Sequence, residues 1–171
     1  IDAVFLSFLV KDIDAFFRRM VRAGTREAEL NFGGFSVTMP HKQAIMRHLD
    51  AIDPTAEMVG AVNTVKIDGG RLTGFNTDVH GFITPLKARF GGLASVRVAV
   101  CGAGGAARAA VHALKAESAD VTVLARDERK AATLAAEFGV SGGRLAPSAG
   151  GFDIVVDATP AGMKEIGRAH V

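Results

Sequence analysis

From about residue 96 to residue 157 the chain repeats one pattern: a near-continuous apolar run, a turn, a long alanine-rich stretch, then another apolar run. The apolar runs are Val96 to Cys101, Asp120 to Ala125 and Asp153 to Asp157, and Ala106 to Glu117 and Glu128 to Phe138 have helical spacing between them. Runs without polar alternation are strands buried on both faces, and strands that alternate with helices are parallel. The pattern predicts α/β architecture: βαβ units in a doubly wound parallel sheet.

The first turn of that sheet is Gly102-Ala103-Gly104-Gly105-Ala106-Ala107, after a strand and opening a helix. This is the context of a dinucleotide fingerprint. Glycine at 102 permits the tight turn. Glycines at 104 and 105 let backbone approach a pyrophosphate, which the helix N-terminus favours, and Ala107 is small enough to pack against the strand. The next strand ends Ala125-Arg126-Asp127, followed by Lys130. An arginine here accommodates the 2′-phosphate of NADP, and an acidic residue binds the ribose hydroxyls of NAD. Arg126 and Lys130 therefore point to NADP and Asp127 to NAD, unless Asp127 caps the following helix. NADP is the expectation, with NAD as the alternative.

The first half of the chain is patterned differently. Val4 to Phe8 reads as a short buried strand, and Asp12 as the cap of a helix to about Ala23, with Ile13, Phe16, Phe17 and Met20 on one face. Phe35 to Thr38 is a second strand. Pro40 suits the first position of a helix that turns Ile45, Met46 and Leu49 inward. Asp53-Pro54 opens a short helix. Ala61 to Ile67 and Arg71 to Phe75 are strands joined by the hairpin turn Asp68-Gly69-Gly70, and Asn76-Thr77-Asp78 caps a helix to about Phe90. The change of pattern sets a domain boundary within residues 83 to 93, dividing residues 1–84 from 85–164.

Three polar residues stand out in this half. Lys42, in the first turn of the helix begun by Pro40, would face the positive end of the macrodipole, which lowers its pKa and suits a proton donor or acceptor. Asp78 at a helix start is by itself explained as a cap. Asn63 lies in an apolar strand, where a buried amide needs partners: backbone, or a substrate hydroxyl.

Composition excludes several classes. The 20 Lys and Arg residues are scattered rather than gathered in a basic stripe, and there is no Trp or Tyr, so the composition does not point to nucleic acid. No run reaches the ~20 apolar residues of a membrane span. The single cysteine, Cys101, sits in an apolar run as a small core residue and suits a reducing compartment, hence a cytoplasmic location. His41, His48, His80, His112 and His170 have no metal-ligand spacing, so no metal is expected, and His80 reads as a surface residue.

Taken in order, Gly34-Phe35-Ser36-Val37-Thr38-Met39-Pro40-His41-Lys42, Gly60-Ala61-Val62-Asn63-Thr64-Val65, Gly74-Phe75-Asn76-Thr77-Asp78, the glycine turn, and Asp157-Ala158-Thr159-Pro160-Ala161-Gly162-Met163 resemble the successive signatures of shikimate dehydrogenases. The resemblance runs to about Met163. It implies an N-terminal α/β substrate domain followed by a Rossmann domain, an oxidoreductase of aromatic amino-acid biosynthesis, and NADPH-dependent reduction of 3-dehydroshikimate to shikimate. By the same resemblance Lys42 and Asp78 are the catalytic pair, and Thr38 and Asn63 bind the small-molecule substrate. Gly102, Ala103, Gly104, Gly105, Ala106, Ala107, Arg126, Asp127 and Lys130 bind the dinucleotide, with Thr159, Pro160 and Met163 on its nicotinamide side. Ala125-Arg126-Asp127 departs from the family's usual Asn-Arg-Thr. That keeps an NAD-preferring quinate/shikimate dehydrogenase as an alternative, and a non-catalytic dinucleotide-binding module is a second. The start also fits the C-terminal half of a fusion with a dehydroquinase. Oligomeric state is not legible.

Relative to the family, two N-terminal substrate-binding serines and a C-terminal helix with a substrate-binding glutamine are missing. The expectation is a truncated chain that exposes apolar surface and is inactive as it stands. Glu165-Ile166-Gly167-Arg168-Ala169-His170-Val171 has no apolar period and back-translates to a short-read sequencing adapter, so an artefactual tail is expected over 165–171.

Overall fold

The computed structural model describes residues 4–146 and 150–161; Met163 and the suspected tail lie outside the described residues. Two four-stranded sheets carry the chain, one in each half. The first is mixed, in the order β1 (Gly34–Ser36), β3 (Thr64–Asp68), β4 (Arg71–Phe75), β2 (Ala51–Ile52). β3 and β4 form the expected hairpin, with Gly69 and Gly70 at φ +55° and +83°, the positive values a two-residue turn demands. The second sheet is wholly parallel, in the order β7 (Ser141–Arg144), β6 (Asp120–Ala125), β5 (Arg97–Cys101), β8 (Ile154–Asp157). The chain leaves central β5 to one side and later returns to its other side as β8, so the glycine turn after β5 lies at a topological switch point.

Helices α4 (Gly105–Ala116) and α5 (Glu128–Phe138) cover this sheet, burying Val111, Leu114 and Leu134 against Val98, Val100 and Val123. A separate core gathers Phe17, Ile45, Val62, Val65 and Leu72. A small third cluster, Val59, Ala61 and Ala109 with Val79 packed against it, joins the halves through α2 (Pro54–Val59) and α4. Helix α3 (Asp78–Phe90) runs through the expected boundary, with Phe82, Ile83 and Leu86 packed on the second sheet's core.

Several local expectations are corrected. Residues 4–10 form no strand, and Val4, Phe5 and Leu9 are largely exposed. A strand exists only by pairing, and no described strand borders this segment. The helix after Asp12 is α1 (Ile13–Phe16), continued as a π-helical turn over Phe17–Val21, and Arg22 is already extended. Pro40 does not begin a helix. It follows a cis peptide bond, and a single 3₁₀ helix comes later, at Ala44–His48. Here the Lys42 carbonyl accepts from Val62 N–H at 2.8 Å, while Met46 N–H turns to Gln43, so the α-helical bond to Lys42 is not made. Strands β2 and β7 were not expected. β7 is masked by Gly142-Gly143, and a Cβ on Gly142 would lie 2.7 Å from Ala135 Cβ, so the strand lies too close under α5 for a side chain.

Asp153 ties β8 to β5: its carboxylate accepts from Arg97 N–H (3.0 Å), Nε (3.1 Å) and Nη2 (2.8 Å). The Arg97 side chain is the chief cause that holds the Asp153 carboxyl at about 2, against an ordinary 3.8. A depressed folded-state value means this stabilisation is complete above the unfolded value and fades as pH falls through the folded one. We therefore expect Asp153→Asn to melt below wild type at neutral pH, with the gap closing between pH about 4 and about 2. Thermal melts across that range check it; a gap independent of pH would contradict it.

Candidate active site

Three short segments bring their polar groups together beside the first sheet. Lys42 enters from the turn after β1, Asn63 from the residue before β3, and Thr77 and Asp78 from the start of α3. Lys42 Nζ donates to Asp78 Oδ2 at 2.6 Å, and Asn63 Nδ2 donates to Asp78 Oδ1 at 2.7 Å and to Thr77 Oγ1 at 2.9 Å. Thr77 N–H donates to Asn63 Oδ1 at 2.9 Å. A backbone N–H can only donate, so the amide oxygen must face Thr77 and the NH₂ must face Asp78. The Thr64 hydroxyl adds a bond to the same oxygen at 2.9 Å. Beneath, the buried Asn76 accepts Asp78 N–H at 3.1 Å and donates to Ala61 O at 2.8 Å, which pins the start of α3.

The reason for Lys42's position differs from the sequence expectation, because no helix begins at Pro40 to oppose its charge. Its environment is the Asp78 carboxylate, with the Lys42 side chain only 17% exposed and Asp78 32%. Asn63 is half-buried rather than buried, and its amide bonds to side chains and one backbone N–H. Thr38 is exposed beyond β1, its carbonyl accepting from His41 N–H, and among the described residues its hydroxyl does not join this network. The arrangement holds an ammonium against a carboxylate beside an amide whose orientation is set. Such a group can deliver a proton to an oxygen that gains charge.

The glycine turn abuts this network. Gly102 has φ +120°, and a Cβ there would lie 2.7 Å from Ala158 O, so both turn geometry and strand packing demand glycine. In front of Gly104 no atom lies within 4 Å of a notional Cβ, leaving backbone open to an approaching group. Gly105 carries a contact the sequence does not announce: its notional Cβ would lie 2.9 Å from Lys42 Cβ and 3.0 Å from Cδ. Its lack of a side chain makes room for the lysine, and Ala107, fully buried, packs as expected.

A cavity of about 830 Å³ opens from the turn, lined by Gly102, Ala103, Gly104, Arg126, Asp127, Lys130 and Thr159 among others. Ala106 and Pro160 are exposed outside it. Asp127 Oδ1 accepts from Arg129 N–H at 3.1 Å, which makes it the cap of α5. Asp157 holds Thr159 at the cavity through its N–H (2.9 Å) and hydroxyl (2.7 Å), and the Thr159 hydroxyl bond is the main reason the Asp157 carboxyl is held below its usual value. Cys101 is buried behind the turn, and burial pushes its thiol up. His80 is exposed, as expected.

Sequence reasoning missed Arg108, which also lines this cavity. It crosses between the halves: Nε donates to Val59 O at 2.6 Å, Nη2 pairs with Glu137 at 2.5 Å, and its guanidinium lies over the Phe138 ring. The signal was local and weak, a lone cation one residue after the fingerprint.

Two family models match the chain: the shikimate dehydrogenase substrate binding domain over residues 1–65, and shikimate / quinate 5-dehydrogenase over residues 85–171. A shikimate dehydrogenase (NADP(+)) of Oleidesulfovibrio alaskensis is 48% identical over 139 residues, which are 78% of this chain and 48% of that protein. The crystal structure of shikimate 5-dehydrogenase from Thermus thermophilus, in complex with NADP(H) and shikimate, has a TM-score of 0.66 at 42% identity, covering 77% of this chain and 49% of that one. Quinate dehydrogenase from Corynebacterium glutamicum in complex with NAD gives 0.66 at 34% identity, covering 77% and 51%. The chain spans about half the length of the curated relatives it matches.

Proposed function

The chain belongs to the shikimate dehydrogenase family, and from that premise we propose that it reversibly reduces 3-dehydroshikimate to shikimate with NADPH, with Lys42 and Asp78 as the acid/base pair. The observation that carries this reading is their convergence at 2.6 Å, with the lysine stem against Gly105 of the glycine turn. An ammonium held against a carboxylate, next to an amide of fixed orientation and beside the glycine turn, is the arrangement that proton transfer to a reacting oxygen requires. We further propose residues 1–84 as the substrate domain, 85–164 as the dinucleotide domain, and the cytoplasm as location.

The residues present fit a dinucleotide. Gly104 leaves its backbone open in front of a 12-residue helix, and Arg126 and Lys130 flank the cavity with no hydrogen-bond partner for either side chain among the described residues. When bound, NADPH supplies the hydride. The rest of the chemistry belongs to this chain. Lys42 donates an N–H to the substrate's carbonyl oxygen and releases that proton to it as the oxygen becomes an alkoxide. Asp78 holds the ammonium in place and stabilises it in the ground state. Asn63 and Thr38 hold ring hydroxyls, Asn63 with its amide oriented in advance by Thr77. In the oxidising direction Lys42 takes the hydroxyl proton. Charge grows on the reacting oxygen only towards the transition state, so a fixed donor there acts on rate.

The test is oxidation of shikimate and of quinate, each with NADP⁺ and with NAD⁺, by the full gene product that carries this chain. Turnover of shikimate with NADP⁺ is expected to dominate. Preference for quinate with NAD⁺ would move the protein to the neighbouring specificity, and dinucleotide binding without turnover of either would leave a binding module.

A further inference from the structure

Arg144 belongs to none of the motifs, yet it emerges beside the residue that distinguishes the two nicotinamide cofactors. β6 and β7 are parallel with Ala125 opposite Arg144, and Leu145 N–H donates to Ala125 O at 3.0 Å. The chain therefore leaves both strands at one level, on the carboxyl edge where doubly wound sheets bind ligands. Arg126 and Arg144 line one cavity of about 410 Å³ together with Arg129, and it adjoins the larger cavity through Arg126 and Asp127. Among the described residues neither Arg126 nor Arg144 has a carboxylate or hydrogen-bond partner for its side chain, whereas Arg19, Arg47, Arg97 and Arg108 each hold a carboxylate.

Two carboxylates also line this cavity, both at the start of α5. Asp127 is turned to the helix as its cap, away from the role of accepting a ribose hydroxyl, and Glu128 sits in the first turn, where a carboxylate suits the helix dipole. Three guanidiniums remain, and their rigid forks match phosphate oxygens in pairs. We propose that Arg144 and Arg126 form a two-strand clamp on the 2′-phosphate of NADP, which makes Arg144 a specificity-determining residue for the cofactor. The proposal deepens the dinucleotide reading and rests on it.

Calorimetric titration without substrate tests it, using NADP⁺, NAD⁺, adenosine 2′,5′-bisphosphate and 5′-AMP. Arg144→Ala and Arg144→Gln are expected to weaken NADP⁺ and the bisphosphate by about tenfold or more, as for lost bonds to a charged group, and to leave NAD⁺ and 5′-AMP nearly unchanged. Arg126→Ala is expected to behave alike, and the double variant to depart from additivity, as partners on one anion do. Arg144 is exposed, so melting temperatures should hold. Equal weakening of all four probes would overturn the clamp, because Arg144 would then touch a part common to them. So would NADP⁺ binding unaffected by Arg144, with shikimate turnover by NADP⁺ still intact. A wild-type protein that binds none of the four overturns the clamp and the dinucleotide reading together.

Discussion

Lys42→Ala is expected to lower kcat for shikimate oxidation by about a thousandfold, the middle to upper range for a positioned general acid–base group. KM for the dinucleotide should change little, because the glycine turn, Arg126 and Lys130 are untouched. The substitution removes the ammonium at 2.6 Å from Asp78 and leaves that carboxylate with the Asn63 amide as its remaining side-chain donor. Asp78 is about one-third exposed, so water can solvate what the lysine leaves, and the fold should survive. A kcat–pH profile separates a chemical role from a structural one: the limb that reports proton transfer should disappear in the variant. A Lys42→Ala protein that keeps a tenth of wild-type kcat would end the assignment.

The second large effect is expected at Gly105, through a contact that no fingerprint contains. Gly105→Ala would put a methyl group 2.9 Å from Lys42 Cβ and 3.0 Å from Cδ, too close for the stem to stay where it is. Because these are inner atoms of the side chain, the lysine cannot yield by moving its tip alone. Either its ammonium leaves Asp78 or α4 backs away from the Lys42 turn. A displacement of about 1 Å at a reacting group can cost a hundredfold in rate, and that is the loss expected in kcat. Gly105 is the first residue of α4, outside the helix interior where alanine gains about 0.5–1 kcal/mol over glycine, and relieving the overlap costs packing, so the melting temperature should fall slightly. A large loss of turnover with only a small fall in melting temperature, and with NADP⁺ still bound, is therefore the signature. If kcat stays within threefold of wild type, Gly105 is not seating Lys42.

Much of the second half was legible in the sequence. Apolar runs without alternation, alanine-rich helices and Gly102-x-Gly104 specified parallel βαβ units with a tight glycine turn after the first strand, and that sheet has the order β7-β6-β5-β8. Asp53-Pro54, Asp68-Gly69-Gly70 and Asn76-Thr77-Asp78 also announced their turns and caps. Each signal is complete within a few residues, because capping, turn geometry and burial period act at that range. The chain also carried, by itself, the ordered motifs that mark Lys42, Asn63 and Asp78.

Why those residues matter to one another was settled only in three dimensions. Lys42 and Asp78 are 36 residues apart, and Arg108 reaches Val59 O across 49. The carbonyl of Lys42 goes to Val62 instead of a helix, so the local propensity at Pro40 loses to a long-range bond. Residues 4–10 have the composition of a strand and no described strand beside them to pair with. Gly142-Gly143 hides β7 because the space under α5 selects for the absence of side chains, and the sequence around Gly105 gives no sign that Lys42 packs against it. Periodicity and turn chemistry report what a segment prefers; packing decides which of its groups meet a partner. The polar groups of this site acquire their meaning from partners the chain brings in from afar.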